Sequence, residues 1–539
     1  MRKLFAILLL ASTVSANEVS YRSLQSGSAT GATPLHDRGI RGEGQIIAVL
    51  DTGAEYRSCF FAEGDNSAPP FNTGSVGGGL AWQNIDLSRR KIVAYNFLFS
   101  CDQYPGVAGC EGLSALDNQG HGTHTAAIAA GDRGMPLAHD YADSLAPGAQ
   151  LVIQDGGYVG GDLCTQFPGA GCPAKLTPIF EQAYRQGARI HSNSWGDRQG
   201  RLVSPPTANY PQSAYDVDAF AWSHSDMLIV FNTGNLGSKT ATPRNSVSAP
   251  GSAKNTLQVG GTRTGIKDDD TLAYFTLHGP ARDGRVKPDL VAPARVMSGA
   301  RDFDDDPNTC DDSRQDGTSF ASPTVAAAAA LVRQYYTDGF YPGGAANEAD
   351  RFTPSAALLK ATLIASARAV PWRGDIVTGT RVAALPVPSH EQGWGFPVLD
   401  DALYLAGDAK RLHVVDVPLS AGLAEGESKS LRVNVKAGTP FKAVLVWTDP
   451  PGHIAGISDT APQLVNDLDL RVRAGSVTYG GTDRVNNVEV VAVEDPAAGV
   501  YMIDVSAFDL KFGSRQSYAL VLTGDFTLAA SSRSRAVRH

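Results

Sequence analysis

Strand-like and helix-like segments alternate along the first 408 residues of this chain and then give way to strands alone, and no other feature limits the fold as tightly. "GQIIAVLDTG" is a short apolar run closed by a carboxylate and a glycine turn, the pattern of a strand buried on both faces. "GHGTHTAAIAAG" opens a helix of small residues, and "QLVIQDGG" reads as a second buried strand. "TPIFEQAYRQGARIHSNSWG" reads as a helix followed by a strand, and "DMLIVFNTGN" and "NTLQVGG" as further strands. "SFASPTVAAAAALVRQYY" and "PSAALLKATLIASA" are helices. Such alternation predicts an α/β unit, a parallel sheet with helices on both faces. Beyond Gly407 come "RLHVVDV", "LRVNV", "FKAVLVW", "LDLRV", "VEVVAV", "VYMIDV" and "SYALVLTG", short runs parted by turn residues, as in an all-β sandwich or barrel.

The amino terminus, "MRKLFAILLLASTVSA", has a basic start, an apolar stretch too short to cross a bilayer and small residues at Val14 and Ala16. It reads as a secretory signal cut after Ala16, which places the mature protein outside the cell or in an endomembrane lumen. The expected parts are therefore a signal peptide at 1–16, the α/β domain at 17–408, the β domain at 409–524 and a disordered tail at 525–539. No later run is apolar enough for a membrane span. With a formal net charge of −9 and no basic stripe before the tail, nucleic acid is not an expected partner. Six cysteines in a secreted chain suggest three disulfides. Cys101 with Cys110 and Cys164 with Cys172 lie close enough to staple short loops, which leaves Cys59 with Cys310, although six cysteines allow about fifteen pairings.

Ser319 stands at the start of the alanine-rich helix. A lone serine there is most often a helix cap. To act as a nucleophile it needs an imidazole to take its proton, a carboxylate to hold that imidazole, and donors for the oxyanion that forms. His121, at a helix start, and Asp51, at the carboxyl end of a strand, supply the first two. Asn235 can supply one donor, and the backbone N–H of Ser319 a second. His121 and His124 form an i,i+3 pair, but no HExxH pattern accompanies them, so no cofactor is expected for catalysis and His124 reads as structural.

"VLDTG", "GHGTH", "NSWG", "TGN" and "GTSFASP" follow one another in this order, and together they resemble the subtilisin-like serine proteases, the subtilase family. "GPARDGRVKPDLVAP" adds to the likeness, and "VLVWTDPPG" and "LVNDLDLRV" resemble the branch with a carboxyl-terminal jelly roll. The resemblance implies a subtilisin-like α/β domain followed by a jelly-roll or β-sandwich domain. It implies a serine endopeptidase, hydrolase of protein or peptide substrates, acting as a monomer through an acyl-enzyme. Asp51, His121 and Ser319 would be the catalytic triad, Asn235 would complete the oxyanion hole, and Ser194, Trp195 and Gly196 would pair with substrate backbone. It also makes structural calcium possible, with Asp449, Asn466 and Asp467 as oxygen ligands.

Several positions depart from the family wording. Phe320 stands where methionine is common, His278 where arginine is usual, Ala294 where glycine is, and Asn232 and Thr233 where small alanines are expected. Residues 17–50 are expected to leave no room for an inhibitory propeptide between the signal and Asp51, which implies a chain that folds without one, an incomplete gene model or an atypical enzyme, and the insertion between Asp51 and His121 suggests a lid or docking loop. These departures motivate the alternative of a catalytically inactive binding protein with the same fold.

Overall fold

The computed structural model describes residues 17–529 apart from 77–78, 99–116, 118, 135–139, 157–175, 197–207, 237–243, 264–269, 301–309 and 375–379. The proposed signal peptide and the cysteines Cys101, Cys110, Cys164 and Cys172 lie outside the described residues.

Seven strands make the centre of the α/β part: β1 (Ile46–Asp51), β2 (Ile92–Phe97), β3 (Gln150–Asp155), β4 (Ile190–Asn193), β5 (Leu228–Asn232), β6 (Leu257–Thr262) and β7 (Leu290–Pro293). They are bonded in the order β2–β3–β1–β4–β5–β6–β7, with every neighbouring pair parallel. Four short strands extend this to an eleven-stranded, mixed sheet. The central strands are buried on both faces, which is why their sequences are apolar without alternation. The chain leaves β1 towards β2 and β3 on one side and continues through β4 on the other. That reversal opens a crevice at the carboxyl ends of the strands, beside Asp51.

Among the described residues, six α-helices flank the strands: α1 (Asn17–Ser26), α2 (His121–Ala130), α3 (Thr177–Arg185), α4 (Gln212–Ser223), α5 (Thr318–Thr337) and α6 (Ala356–Ala365). α5 runs through the core against β4, β5, β6, α2 and α6. Ala326 to Ala330 are all fully buried, and side chains this small let neighbours approach the helix from every side. A disulfide joins Cys59, after β1, to Cys310, in the segment before α5, with Cα atoms 5.1 Å apart.

The carboxyl-terminal part forms two antiparallel sheets. β8 (Arg411–Val417), β9 (Ser428–Val435), β10 (Phe441–Val446), β11 (Asn466–Ala474), β12 (Val477–Gly480), β13 (Val488–Val493), β14 (Gly499–Leu510), β15 (Tyr518–Gly524) and β16 (Phe526–Leu528) pair as β8–β15–β10–β13 and β12–β11–β14–β9–β16. Ala443, Leu445 and Leu520 point into the core shared by the two sheets. Val444, Val446 and Val521, on the other face, join the core of the α/β part around α6. One sheet is thus buried on both faces, and "FKAVLVW" loses the alternation of a half-exposed strand for that reason. All ten residues of α6 are buried, which explains a helix apolar on every side. The sheet also continues past residue 524, where the tail was expected to begin. Phe526 is buried against Phe441, and Phe526–Leu528 pairs with β9.

Candidate active site

β1 ends in Asp51, whose side chain is 1 % exposed. His121 opens α2, and its Nδ1 lies 2.7 Å from Asp51 Oδ1. The same carboxylate accepts the Thr52 N–H at 2.8 Å on Oδ1 and the Thr125 hydroxyl at 3.2 Å on Oδ2, so its orientation is fixed from three sides. The helix docks this closely because its second residue is Gly122: a Cβ there would lie 2.1 Å from Gly53 O. The Gly122 N–H donates to Thr52 Oγ1, which ties the helix start to the strand end.

Ser319 lies in the first turn of α5 and is 7 % exposed. Its hydroxyl donates to Ser194 O at 3.2 Å, and the Ser194 hydroxyl donates back to Ser319 O at 2.5 Å. Ser194 therefore positions the serine as well as starting the segment expected to meet substrate. Trp195 packs edge-on against Phe231, ring centroids 5.3 Å apart. Gly196 lies against Ser248 and Ala249, where an added Cβ would meet the Ser248 hydroxyl at 2.6 Å. Phe320 brings the serine and histidine segments together, with its ring centroid 5.6 Å from that of His121 and 4.8 Å from that of His124.

Asn235 accepts the Thr318 N–H at 2.8 Å and its hydroxyl at 3.1 Å on Oδ1. Those bonds decide which way round the amide sits: its oxygen faces the α5 start and its N–H donors are left for another acceptor. Asn232, the last residue of β5, donates to Thr318 Oγ1 at 3.3 Å. His124 Nδ1 is 3.0 Å from Gly299 O, and burial holds the ring's pKa down to about 4.

One residue of this site escaped the sequence reading. Asp117 is fully buried and accepts the Gln119 and Gly120 N–H groups and the Thr52 hydroxyl on Oδ1. Its Oδ2 accepts the N–H and hydroxyl of Thr123. It caps the start of α2 and so holds His121 at the end of β1. The available signal was an aspartate four residues before the helix start.

The residues expected to bind calcium have different surroundings. Asp449 is fully buried, with Lys254 Nζ 2.5 Å from Oδ2 and the Asn466 N–H 2.8 Å from Oδ1. The same ammonium donates to Pro450 O and Gln463 O, so a cation already occupies this oxygen cage. The Asn466 side chain is spent on Phe512 backbone and Gln516. Asp467 Oδ1 is buried with no hydrogen-bond partner among the described residues. Burial, and then repulsion from Asp469, Asp483 and Asp509, push Asp467 up to about 7 despite Arg484; burial and nearby carboxylates push Glu489 up to about 8.

A family model described as the subtilase family matches residues 42–395. Among curated proteins, the chain is 25% identical over 631 residues to the serine protease/ABC transporter B family protein tagA of Dictyostelium discoideum, covering 96% of this chain and 32% of that protein. It is also 25% identical over 584 residues to tagD of the same organism and description, covering 84% of this chain and 30% of that one. The chain thus spans about a third of the length of these relatives. Among solved structures, the serine protease of Aeromonas sobria aligns with a TM-score of 0.43 at 13% identity, covering 95% of this chain and 94% of that one. Among the described residues, no helix is long and apolar enough to cross a membrane.

Proposed function

The chain belongs to the subtilase family, a family of serine proteases, and on that premise we propose that it is a secreted serine endopeptidase with Ser319 as nucleophile. His121 takes the proton of the Ser319 hydroxyl as that oxygen attacks the substrate carbonyl, and returns it to the leaving amine. Asp51 holds the imidazole in the required tautomer and stabilises its charged form. The Asn235 amide and the Ser319 N–H donate to the oxyanion, and water then hydrolyses the acyl-enzyme. Ser194, Trp195 and Gly196 take up substrate as an added strand, a mode that relies on backbone bonds and so suits varied protein substrates.

The observation that carries this reading is the 2.7 Å contact between Asp51 and His121, with the Ser319 helix start held beside that imidazole through Phe320. Its test is peptide hydrolysis by the purified chain and by Ser319→Ala. The substitution should abolish turnover above background, and equal rates would overturn the assignment. A structural calcium ion, in the same reading, would be held by Asp467 and its neighbouring carboxylates. Asp449, already neutralised by Lys254, has no part in it.

A further inference from the structure

His278, His390 and Glu391 place one ligand atom each within 4.8 Å of one another, well away in sequence from Asp51, His121 and Ser319. The two imidazoles face each other edge to face, centroids 6.0 Å apart. Their backbones are tied, since the Gly279 N–H donates to His390 O at 2.9 Å. His278 is clamped further: its N–H donates to Ser246 Oγ, and its carbonyl accepts the N–H groups of Ser246 and Val247. The Glu391 side chain is 7 % exposed, and Leu385 N–H holds its Oε2 at 3.0 Å. Among the described residues, neither imidazole has a hydrogen-bond partner for its ring nitrogens.

From this arrangement we infer that His278, His390 and Glu391 bind a zinc-class divalent ion. Two imidazoles and one carboxylate suit zinc and its neighbours over calcium or magnesium, which take oxygen ligands. Tetrahedral coordination at about 2.1 Å sets ligand atoms roughly 3.4 Å apart, so the widest pair has to close by at most about 1.4 Å, within reach of side-chain torsions. Glu391 arrives oriented by Leu385. Arg373, 3.4 Å from Glu391 Oε1, is the competing cation; its side chain is 44 % exposed and free to swing into solvent.

The ion would pin the segment around residue 278 to the turn around residue 390. Thr276, two residues before His278, pairs as a bridge with Asn235, and the Leu277 N–H reaches Gly234 O at 3.4 Å. Metal at this place would therefore brace the loop that carries Asn235.

The test uses the full chain as Ser319→Ala, so that self-digestion and the fate of the protease reading play no part. After chelation, zinc is titrated by calorimetry, with cobalt absorption as a report on ligand geometry. One equivalent should bind with a tetrahedral cobalt spectrum. His278→Ala and His390→Ala should each lose at least 100-fold in affinity while keeping the parent's near-ultraviolet circular dichroism. Arg373→Ala should bind several-fold tighter. Absence of zinc binding, unchanged affinity in folded histidine variants, or calcium displacing the bound cobalt as readily as zinc does would each overturn the inference.

Discussion

Removing the ammonium of Lys254 should separate the two parts of the molecule energetically. Lys254 and Asp449 side chains are both wholly buried, 2.5 Å apart, at the seam between the α/β part and the carboxyl-terminal sheets. Lys254→Met leaves the stem's volume but deletes one ion pair and the donor to Pro450 O and Gln463 O. The Asp449 carboxylate keeps its amide donors from Val465 and Asn466 but loses its countercharge. Breaking a buried pair from one side costs about 3–5 kcal/mol, because the remaining charge stays desolvated. The seam has other contacts, among them Asn255 to Asp449 and Val286 to Asn486, so the variant should still fold. Urea unfolding followed by tryptophan fluorescence and by limited proteolysis at the seam should show the carboxyl-terminal part released at lower denaturant. Asp449→Asn added to Lys254→Met should recover a large part of the loss, since the stranded charge is then gone. The loss should also shrink as falling pH neutralises Asp449. A Lys254→Met protein within about 1 kcal/mol of the parent would refute the claim that this pair holds the seam.

Asp117→Asn swaps one carboxylate oxygen for a donor facing other donors; a displacement of His121 by about 1 Å is enough to lower kcat roughly 100-fold, and kinetics within twofold of the parent would count against its positioning role. If Asn235 donates to the oxyanion, Asn235→Ala should lower kcat by about 100- to 1000-fold with little change in KM, the size of effect that loss of one oxyanion-hole amide has in subtilisin itself. His36 and His124, lowered to about 4, and His191, lowered to about 3, are kept neutral chiefly by burial. Each takes up a proton near pH 6.5 only after unfolding, so the unfolded chain binds more protons below that pH and stability falls as pH drops towards 4. The contribution is on the order of 3 kcal/mol per ring, and a denaturation midpoint flat between pH 7 and 4 would contradict it.

The parallel sheet was legible because buried strands and small-residue helices carry distinct periods, and "IIAVLD" and "QLVIQD" form strands as read. The motif order was legible because Asp51, His121 and Ser319 each sit at a strand end or a helix start, where glycine turns mark the chain. What sequence left hidden depends on the third dimension. Nothing in "DNQGHG" says that Asp117 folds back on Thr52 as well as on its own helix. "NDLD" reads as a row of oxygen donors, yet the Asp449 cage is filled by a lysine 195 residues earlier in the chain. Phe526 looked like the start of a tail because three residues are too few to show a period, and only its burial against Phe441 identifies the strand.

Labelling with a serine-directed fluorophosphonate tests the central claim most directly, because it reads the reactivity of one hydroxyl without a chosen substrate. The parent chain should be modified at Ser319 alone, with the rate falling steeply in His121→Ala and labelling absent in Ser319→Ala. A chain that resists the reagent while folded, or one labelled equally well without His121, would contradict the account.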